Sequence, residues 1–192
     1  MLNSSFNRII KMKHIFLYFF IVVIIFITGC ENNVNPVIPT EGEATLSSAY
    51  YDGRIKAFSF SSGGIVDFDA IRKGKGDFIA MIQTNIRDIG GMYLGPIGEF
   101  RQAFSLMKSF NDEDSAFAYF EDRMAIPDSN LFGLAILLSK YQIWGYKTKD
   151  NKFGKLLILE SYADEKVIDG RPEVYGEVRF RWKFAPKGGS FL

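Results

Sequence analysis

Cysteine and histidine, the side chains most often used in nucleophilic and metal chemistry, each occur once in this chain. The cysteine, Cys30, lies three residues after an apolar run of 13 residues, 15–27, which itself follows Arg8, Lys11 and Lys13. A basic stretch followed by an apolar run of this length is typical of a cleavable export signal, and the run is too short to span a bilayer. The placement of Cys30 therefore predicts chemistry on its thiol at the point where such a signal ends.

The four residues Ile27-Thr28-Gly29-Cys30 resemble the lipobox of bacterial lipoproteins, which has an aliphatic residue, two small residues and a cysteine. The resemblance implies that the sulfur of Cys30 receives a diacylglyceryl group, that residues 1–29 are then removed, and that lipid holds the chain at a membrane. Glu31 is not the aspartate that retains some lipoproteins at the inner membrane, which favours the outer membrane, facing the periplasm or the surface. The alternative is an N-terminal membrane helix with an incidental cysteine.

The composition of the predicted mature part excludes several classes of function. It has 163 residues, 192 minus 29, which suits one domain with its own core. The signal removes three of 23 basic residues and none of 22 acidic ones, so the mature charge is 20 minus 22, or −2, and nothing indicates nucleic-acid binding. His14 leaves with the signal, which excludes Ser-His-Asp and Cys-His catalysis and zinc sites built on histidine or thiolate.

Two acidic clusters could do other chemistry. Asp67 and Asp69 could act as paired carboxylates in glycoside hydrolysis, but they alternate with Phe68 and fit the solvent-facing side of a strand better. The second cluster, residues 111–114, fits the N-terminal cap of a helix better than a calcium site. We therefore expect a protein that is not an enzyme.

Three segments are predicted along the chain. Residues 1–29 form the signal, residues 30–49 hold the lipidated cysteine and a flexible tether, and residues 50–192 form a single domain. The tether is predicted because residues 31–44 are rich in asparagine and proline and have almost nothing to bury. Period-two patterns, apolar runs and turn residues predict strands over residues 54–60, 65–68, 77–85, 92–94, 141–148, 155–162 and 174–184.

The middle of the domain has a different periodicity. Phe100, Phe104, Met107 and Phe110 recur at helical spacing, and a short helix is predicted over residues 113–123. Residues 131–138 are apolar and fit either a buried helix or a buried strand. In contrast, residues 174–184 alternate between apolar and mostly charged side chains, as an antiparallel sheet covered on one face requires. The predicted fold is mainly β, an antiparallel sheet domain with one or two short helices in the middle.

The order of blocks in residues 50–192 resembles the HmuY-like lipoproteins. In that family a Trp-Asp pair opens the second block, whereas here Gly76 stands in the tryptophan position, which is a departure. The blocks that carry the resemblance are Tyr51-Asp52-Gly53, Phe58-Ser59-Phe60-Ser61-Ser62-Gly63, Asp77-Phe78-Ile79-Ala80 with Asn85 and Gly90-Gly91, Thr148-Lys149-Asp150, Lys152-Phe153-Gly154-Lys155, and Pro186-Lys187-Gly188-Gly189-Ser190.

The resemblance implies a mostly antiparallel β fold and a haem-binding role at the bacterial surface. Haem in that family is held between two axial side chains, histidines or methionines. Without histidine, the donors left for haem iron are methionine and tyrosinate. Met92 and Met124 lie beside chain breaks where loops could present them to the iron, and Tyr93 is a further candidate ligand. Met107 lies on an apolar stripe, which favours packing, and Met81 lies within an apolar strand and is assigned to the core. For each of these methionines, and for Tyr93, core packing is favoured over a role as an iron ligand.

Two kinds of function stay open at this point. The first is a lipid-anchored envelope protein that captures haem or a related apolar ligand. The second is a non-enzymatic surface lipoprotein that binds another envelope protein, which would show an exposed apolar patch rather than an enclosed pocket. A glycan-acting or glycan-binding accessory role is a third alternative and would require surface aromatic side chains in a groove beside paired carboxylates.

We expect the chain isolated from its native host to begin at Cys30 and to carry acyl chains on that residue, because the export and lipobox patterns coincide. Mass spectrometry of the intact protein measures both features at once. An unmodified Cys30, or residues 1–29 still attached, would contradict the lipoprotein prediction.

Overall fold

A computed structural model describes residues 37–48, 55–84, 89–98, 101–123, 125–168 and 170–188. The described part is mainly β, which confirms the predicted fold class. In chain order its elements are β1 (Glu41–Ser47), β2 (Ala57–Ser59), β3 (Gly64–Val66), α1 (Phe68–Arg72), β4 (Phe78–Thr84), β5 (Ile89–Pro96), β6 (Phe104–Ser109), α2 (Glu113–Asp122), β7 (Gln142–Lys147), β8 (Phe153–Ile168) and β9 (Arg171–Ala185).

The strands form two antiparallel sheets. The five-stranded sheet has the order β1-β9-β8-β7-β6, and the four-stranded sheet has the order β3-β2-β4-β5. Strands β8 and β9 make a long hairpin that pairs from Phe153 with Ala185 to Ile168 with Arg171. Most connections join neighbours in one sheet, so the pattern of strands and turns in the sequence accounts for much of the topology.

The main core lies between the two sheets and is largely aromatic. The rings of Phe58 and Phe180, one from each sheet, lie 5.2 Å apart, and Phe58 and Trp182 lie 5.4 Å apart. Their edge-to-face geometry is the arrangement that the charge distribution of aromatic rings favours. In β9, Val178, Phe180 and Trp182 are buried, whereas the intervening charged side chains are partly exposed. The alternation predicted for this strand is confirmed.

Helix α2 covers the other face of the five-stranded sheet. Ala116 and Phe120 pack there on Ile143, Leu157 and Leu159 and form a second buried cluster. The helix begins after Asp112, whose side chain accepts a hydrogen bond from Ser115 N at 2.8 Å, as the acidic pattern at residues 111–114 predicted. Its bounds, Glu113–Asp122, agree with the predicted helix to within one residue.

The C-terminal end of α2 is held by a buried lysine. The Nζ of Lys155, on β8, donates hydrogen bonds to the carbonyl oxygens of Phe120 and of Arg123, the latter at 2.6 Å. These are carbonyl groups that a helix end leaves without partners inside the helix, and a cation favours that end of the helix dipole. Because Lys155 is buried, its pKa is lowered to about 8.

The tether predicted through residue 49 is wrong for its second half. Residues 41–47 form β1, an edge strand that pairs with β9 from Glu41 with Lys183 to Ser47 with Glu177. Leu46 of this strand is fully buried in the main core. The weak local pattern of residues 41–47 concealed the strand, because the partner that stabilises it lies about 135 residues away in the sequence.

Two further segments differ from the sequence-based expectation. Phe104, Met107 and Phe110 recur at helical spacing but do not lie on a helix, because residues 104–109 form β6. Where β6 pairs with β7, the register shifts between Leu106 and Lys108. Asp67 and Asp69 do not lie on a strand. Asp67 caps α1 by accepting a hydrogen bond from Ala70 N at 2.9 Å, and Asp69 lies in its first turn.

Residues 131–138 form neither of the two elements considered for them. They run between the sheets, with bridges from Phe132 to Phe104 of β6 and from Ala135 to Leu94 of β5. The backbone of Leu138 also donates a hydrogen bond to Met92 O at 3.0 Å. This segment thus closes one side of the sandwich by satisfying backbone groups at the edges of both sheets.

Replacing Lys155 by Met should change how stability depends on pH. The pKa of Lys155 is lower in the folded chain than in the unfolded chain, so between about pH 8 and 10.5 the unfolded chain binds more protons at this site. Its contribution to folding therefore becomes more favourable as pH rises. We expect the difference in unfolding free energy, wild type minus Lys155→Met, to increase by on the order of 1 kcal/mol from pH 7 to pH 10 in urea titrations. A constant or falling difference would contradict the burial of this ammonium group.

Candidate functional site

A cleft of about 560 Å³ lies where the two sheets meet, near the start of β9. This volume is in the range of small-molecule binding sites. One wall comes from β4 and β5, and the other comes from the beginning of β9. The cleft is lined by Ser48, Met81, Ile82, Thr84, Tyr93, Glu173 and Val174. We call it the distal cleft.

Strand pairing places the two largest side chains of the distal cleft side by side. Met81 on β4 and Tyr93 on β5 are direct cross-strand partners, so their side chains leave the sheet on the same face. Gly95 makes room for Met81, since a Cβ at Gly95 would lie 2.2 Å from the Met81 methyl carbon. Both side chains are partly exposed, and they form one continuous wall.

Ser48 fixes the position where β1 ends at the cleft. Its backbone N–H donates to Gly176 O at 2.8 Å, and its hydroxyl accepts a hydrogen bond from Gly176 N at 3.2 Å. Ser48 also forms a parallel bridge with Ala80 of β4, so it ties the edge of one sheet to the other. The base of the distal cleft is therefore a point of contact between sheets, which restricts its movement.

The described residues bring few polar side chains to the distal cleft. They are the hydroxyls of Ser48, Thr84 and Tyr93 and the carboxylate of Glu173. An apolar wall with a small number of hydrogen-bonding groups can hold an apolar ligand and orient its polar substituent.

Two tyrosines lie on the β8–β9 hairpin, one on each strand, next along β9 from the residues that line the distal cleft. Tyr162 donates to one oxygen of Glu177 at 2.9 Å, and Tyr175 donates to the other. Burial, followed by the Glu177 hydrogen bond and charge, raises the pKa of both phenols. Each phenol is therefore harder to ionise than a free tyrosine, and its proton is engaged by the Glu177 carboxylate.

The predicted ligand residues do not come together. Met92 lies within β5 and is 1 % exposed in the main core, with its sulfur against Gly176, so its expected placement beside a loop is wrong and it packs in the core instead. Tyr93 does line the distal cleft. Met107 lines a separate surface depression with Tyr119 and Phe132. Cys30 and Met124 lie outside the described residues.

Sequence reasoning missed Met81 as a member of this site. It assigned Met81 to the core and Met92 to a loop, and the structure shows the opposite arrangement. The signal was present in the period-two pattern of β4, because Phe78 and Ala80 face the core and Met81 therefore faces away. Glu173 and Ser48 carried no local signal, since their role arises from the meeting of distant strands.

A haem group held from two sides does not fit the described residues. Met81 and Tyr93 are the sulfur and phenol donors of the distal cleft, and both stand on the same wall. The β9 wall offers Glu173 and Val174 instead. A single axial ligand from Met81 or Tyr93 is compatible with this arrangement; the haem itself would supply the iron chemistry.

The described residues hold neither a metal-binding cluster nor a membrane-spanning helix. No cluster of three or more histidine, cysteine, aspartate or glutamate side chains within this part of the chain could hold a metal ion. No helix in the same residues is long and apolar enough to cross a membrane.

No family model, curated protein or solved structure matches this chain. The HmuY-like resemblance therefore stays a prediction from the sequence.

The two methionines should differ in their effect on stability. Met92→Ala leaves a cavity in the main core and should lower the free energy of unfolding by about 2 to 5 kcal/mol. Met81→Ala removes a partly exposed side chain and should cost about 1 kcal/mol. Denaturant titration of both variants measures the difference. Equal losses would place Met92 and Met81 in similar surroundings and contradict the structure.

Proposed function

We propose that this chain is a lipid-anchored binding protein of the bacterial cell envelope, and that it holds a small, mainly apolar ligand in the distal cleft. The signal and lipobox patterns around Cys30 support the location. The distal cleft supports ligand binding. The proposed role is capture rather than catalysis, because the mature sequence has no histidine and no cysteine other than Cys30.

The observation that carries the proposal is the composition and size of the distal cleft. About 560 Å³ of space is bounded by Met81, Ile82, Tyr93 and Val174, with hydroxyl groups and one carboxylate at its margin. Such a site removes apolar ligand surface from water, which is the main source of affinity for an apolar molecule. A hydroxyl or amine on the ligand could then pair with Glu173.

Haem belongs to the class of ligands that this proposal covers. The family resemblance implies it, and Met81 or Tyr93 could provide one axial ligand from the β4–β5 wall. Iron ligation would add to the burial of the porphyrin ring. Haem is therefore the first ligand to test.

A second candidate function, binding of an envelope protein, is favoured by a separate surface. Leu106, Phe132, Ile136 and Leu137 are 43 %, 55 %, 54 % and 57 % exposed. Leu106, Phe132 and Ile136 also line an apolar depression of about 420 Å³ with Trp144. Exposed apolar side chains that lie together often mark contacts with other proteins. The glycan alternative has less support, because Tyr93 is the single aromatic side chain lining the distal cleft among the described residues.

Filling the distal cleft should abolish binding of apolar probes. The protein used consists of residues 31–192, which contain the main core and the buried cluster under α2. The substitution Val174→Trp places an indole in the distal cleft. We expect wild-type protein to bind protoporphyrin IX saturably, measured by its fluorescence, and Val174→Trp to weaken binding at least about tenfold. Ile65→Trp, on the exposed face of β3, is the matched control and should bind like wild type.

A parallel titration with hemin separates iron ligation from apolar binding. If Met81 or Tyr93 ligates iron, Met81→Leu or Tyr93→Phe should alter the Soret band, whereas Met107→Leu and Tyr141→Phe should not. Binding of neither porphyrin would remove haem and related tetrapyrroles. Binding that is insensitive to Val174→Trp would show that the distal cleft is not the site and would contradict the proposal.

A further inference from the structure

The N-terminal segment leaves the domain at the end opposite the distal cleft. The backbone oxygen of Thr40 accepts a hydrogen bond from Phe184 N at 2.6 Å, and Pro39 lies against Gly63 in the turn between β2 and β3. From there β1 runs to Ser48 at the cleft, about 26 Å away along the strand. We call the end formed by Thr40, Gly63 and Phe184 the anchor end.

A small polar pocket of about 120 Å³ opens at the anchor end. Phe184, the residue that binds Thr40, is part of its lining, together with Ser61 and Thr148. Three lysines, Lys75, Lys149 and Lys152, also line this pocket. They come from the loop after α1 and from the turn between β7 and β8, so the fold, not the sequence, brings them together.

The ammonium groups of these three lysines have no ion-pair partner among the described residues. None of them lies within 4.0 Å of a carboxylate oxygen in that part of the chain. Other lysines do have one, since Lys147 pairs with Asp128 at 2.7 Å and Lys183 pairs with Glu41 at 3.4 Å. Three unpaired cations around one small pocket favour an anion.

Two carboxylates of the pocket limit this attraction without cancelling it. Asp77 already accepts a hydrogen bond from Phe60 N at 2.8 Å, and its burial raises the pKa of the carboxyl group. Asp150 lies exposed in the turn beside Lys149. With both ionised, the three lysines still leave one net positive charge among the described residues that line the pocket.

The position of the pocket suggests where its anion comes from. Thr40 is ten residue steps from Cys30, and a fully extended chain of ten steps reaches at most about 36 Å. A lipid on Cys30 would therefore keep the anchor end near the headgroups of the membrane. Phosphate is the anion that phospholipid headgroups carry, and clustered lysines near a membrane surface bind anionic lipids.

We propose that the anchor-end pocket binds a phosphate group, with Lys75, Lys149 and Lys152 as its cationic ligands and Ser61 and Thr148 as hydroxyl donors. Phospholipid headgroups and soluble phosphate share this chemistry. Only the lipid source rests on the lipid anchor proposed above. Bound in this way, the domain would stand with its anchor end on the membrane and the distal cleft directed away from it.

Residues 31–192 lack Cys30, so their binding to vesicles reports the pocket without acyl chains. We expect cosedimentation with phosphatidylcholine vesicles that contain about one third phosphatidylglycerol, and little with phosphatidylcholine alone. The double variant Lys149→Gln, Lys152→Gln should bind about thirtyfold more weakly, because each lysine near an anionic surface contributes about fivefold. Asp150→Asn should strengthen binding.

The matched control removes the same charge elsewhere. Lys108 and Lys140 lie near the opposite end of β6 and β7, and Lys108→Gln, Lys140→Gln should change vesicle binding much less. A second arm titrates inorganic phosphate against chloride at equal ionic strength and follows the backbone amide NMR signals of Lys149 and Lys152. Vesicle binding that depends on the pocket identifies lipid as the source, whereas phosphate shifts without vesicle binding identify soluble phosphate.

Equal weakening in the two double variants would overturn the proposal, because it would reduce the effect to total charge. So would the absence of a response in both arms. Neither result bears on the porphyrin titrations, which depend on the distal cleft at the other end of the domain. Failure of the pocket and failure of the proposed function are thus separate outcomes.

Discussion

The aromatic contact between the two sheets is the interaction on which the rest of this structure depends. Phe58 and Phe78 from the four-stranded sheet, with Phe60 from the turn after β2, meet Phe180 and Trp182 from β9, and all five are buried. Each sheet can bury only one face in this contact. The other face of the larger sheet is covered by α2, and residues 131–138 close the gap between the sheet edges. The core therefore sets the spacing that leaves open space at the two ends of the sandwich.

The two ends have different chemistry. At the distal end, the cleft takes Met81 and Tyr93 from one wall and Val174 from the other. At the anchor end, the pocket has lysines and hydroxyl groups. Because strand β1 runs from one end to the other, its direction decides which site lies near the N-terminal segment. In the functions we propose, a basic end meets the membrane and an apolar cleft receives the ligand.

The positions of Met81 and Met92 show which part of the distal cleft could be predicted from the sequence. Met81 and Met92 lie on paired strands, and Ile82 and Met92 are direct partners, so Met81 and Met92 must face opposite sides. Because side chains alternate between the two faces of a strand, the face of each methionine can be assigned once the pairing of β4 with β5 is known. The nearby glycines suggested a loop around Met92, although they lie within β5. Tyr93 was predicted as a candidate ligand residue and does line the distal cleft. Glu173 and Ser48 line it only because strands that are distant in the sequence meet there.

The amino-acid sequence by itself determined the export and lipobox patterns, the mainly β class, the alternating strand β9 and helix α2 with its Asp112 cap. These features depend on residues close together in the chain, so local periodicity and capping chemistry are sufficient to predict them. Tertiary structure decided that residues 41–47 form a strand and that residues 104–109 form a strand despite their helical spacing. It also decided that Lys75 lines the same pocket as Lys149 and Lys152. Each of these depends on a partner far along the chain, whose pairing and burial outweigh a weak local preference.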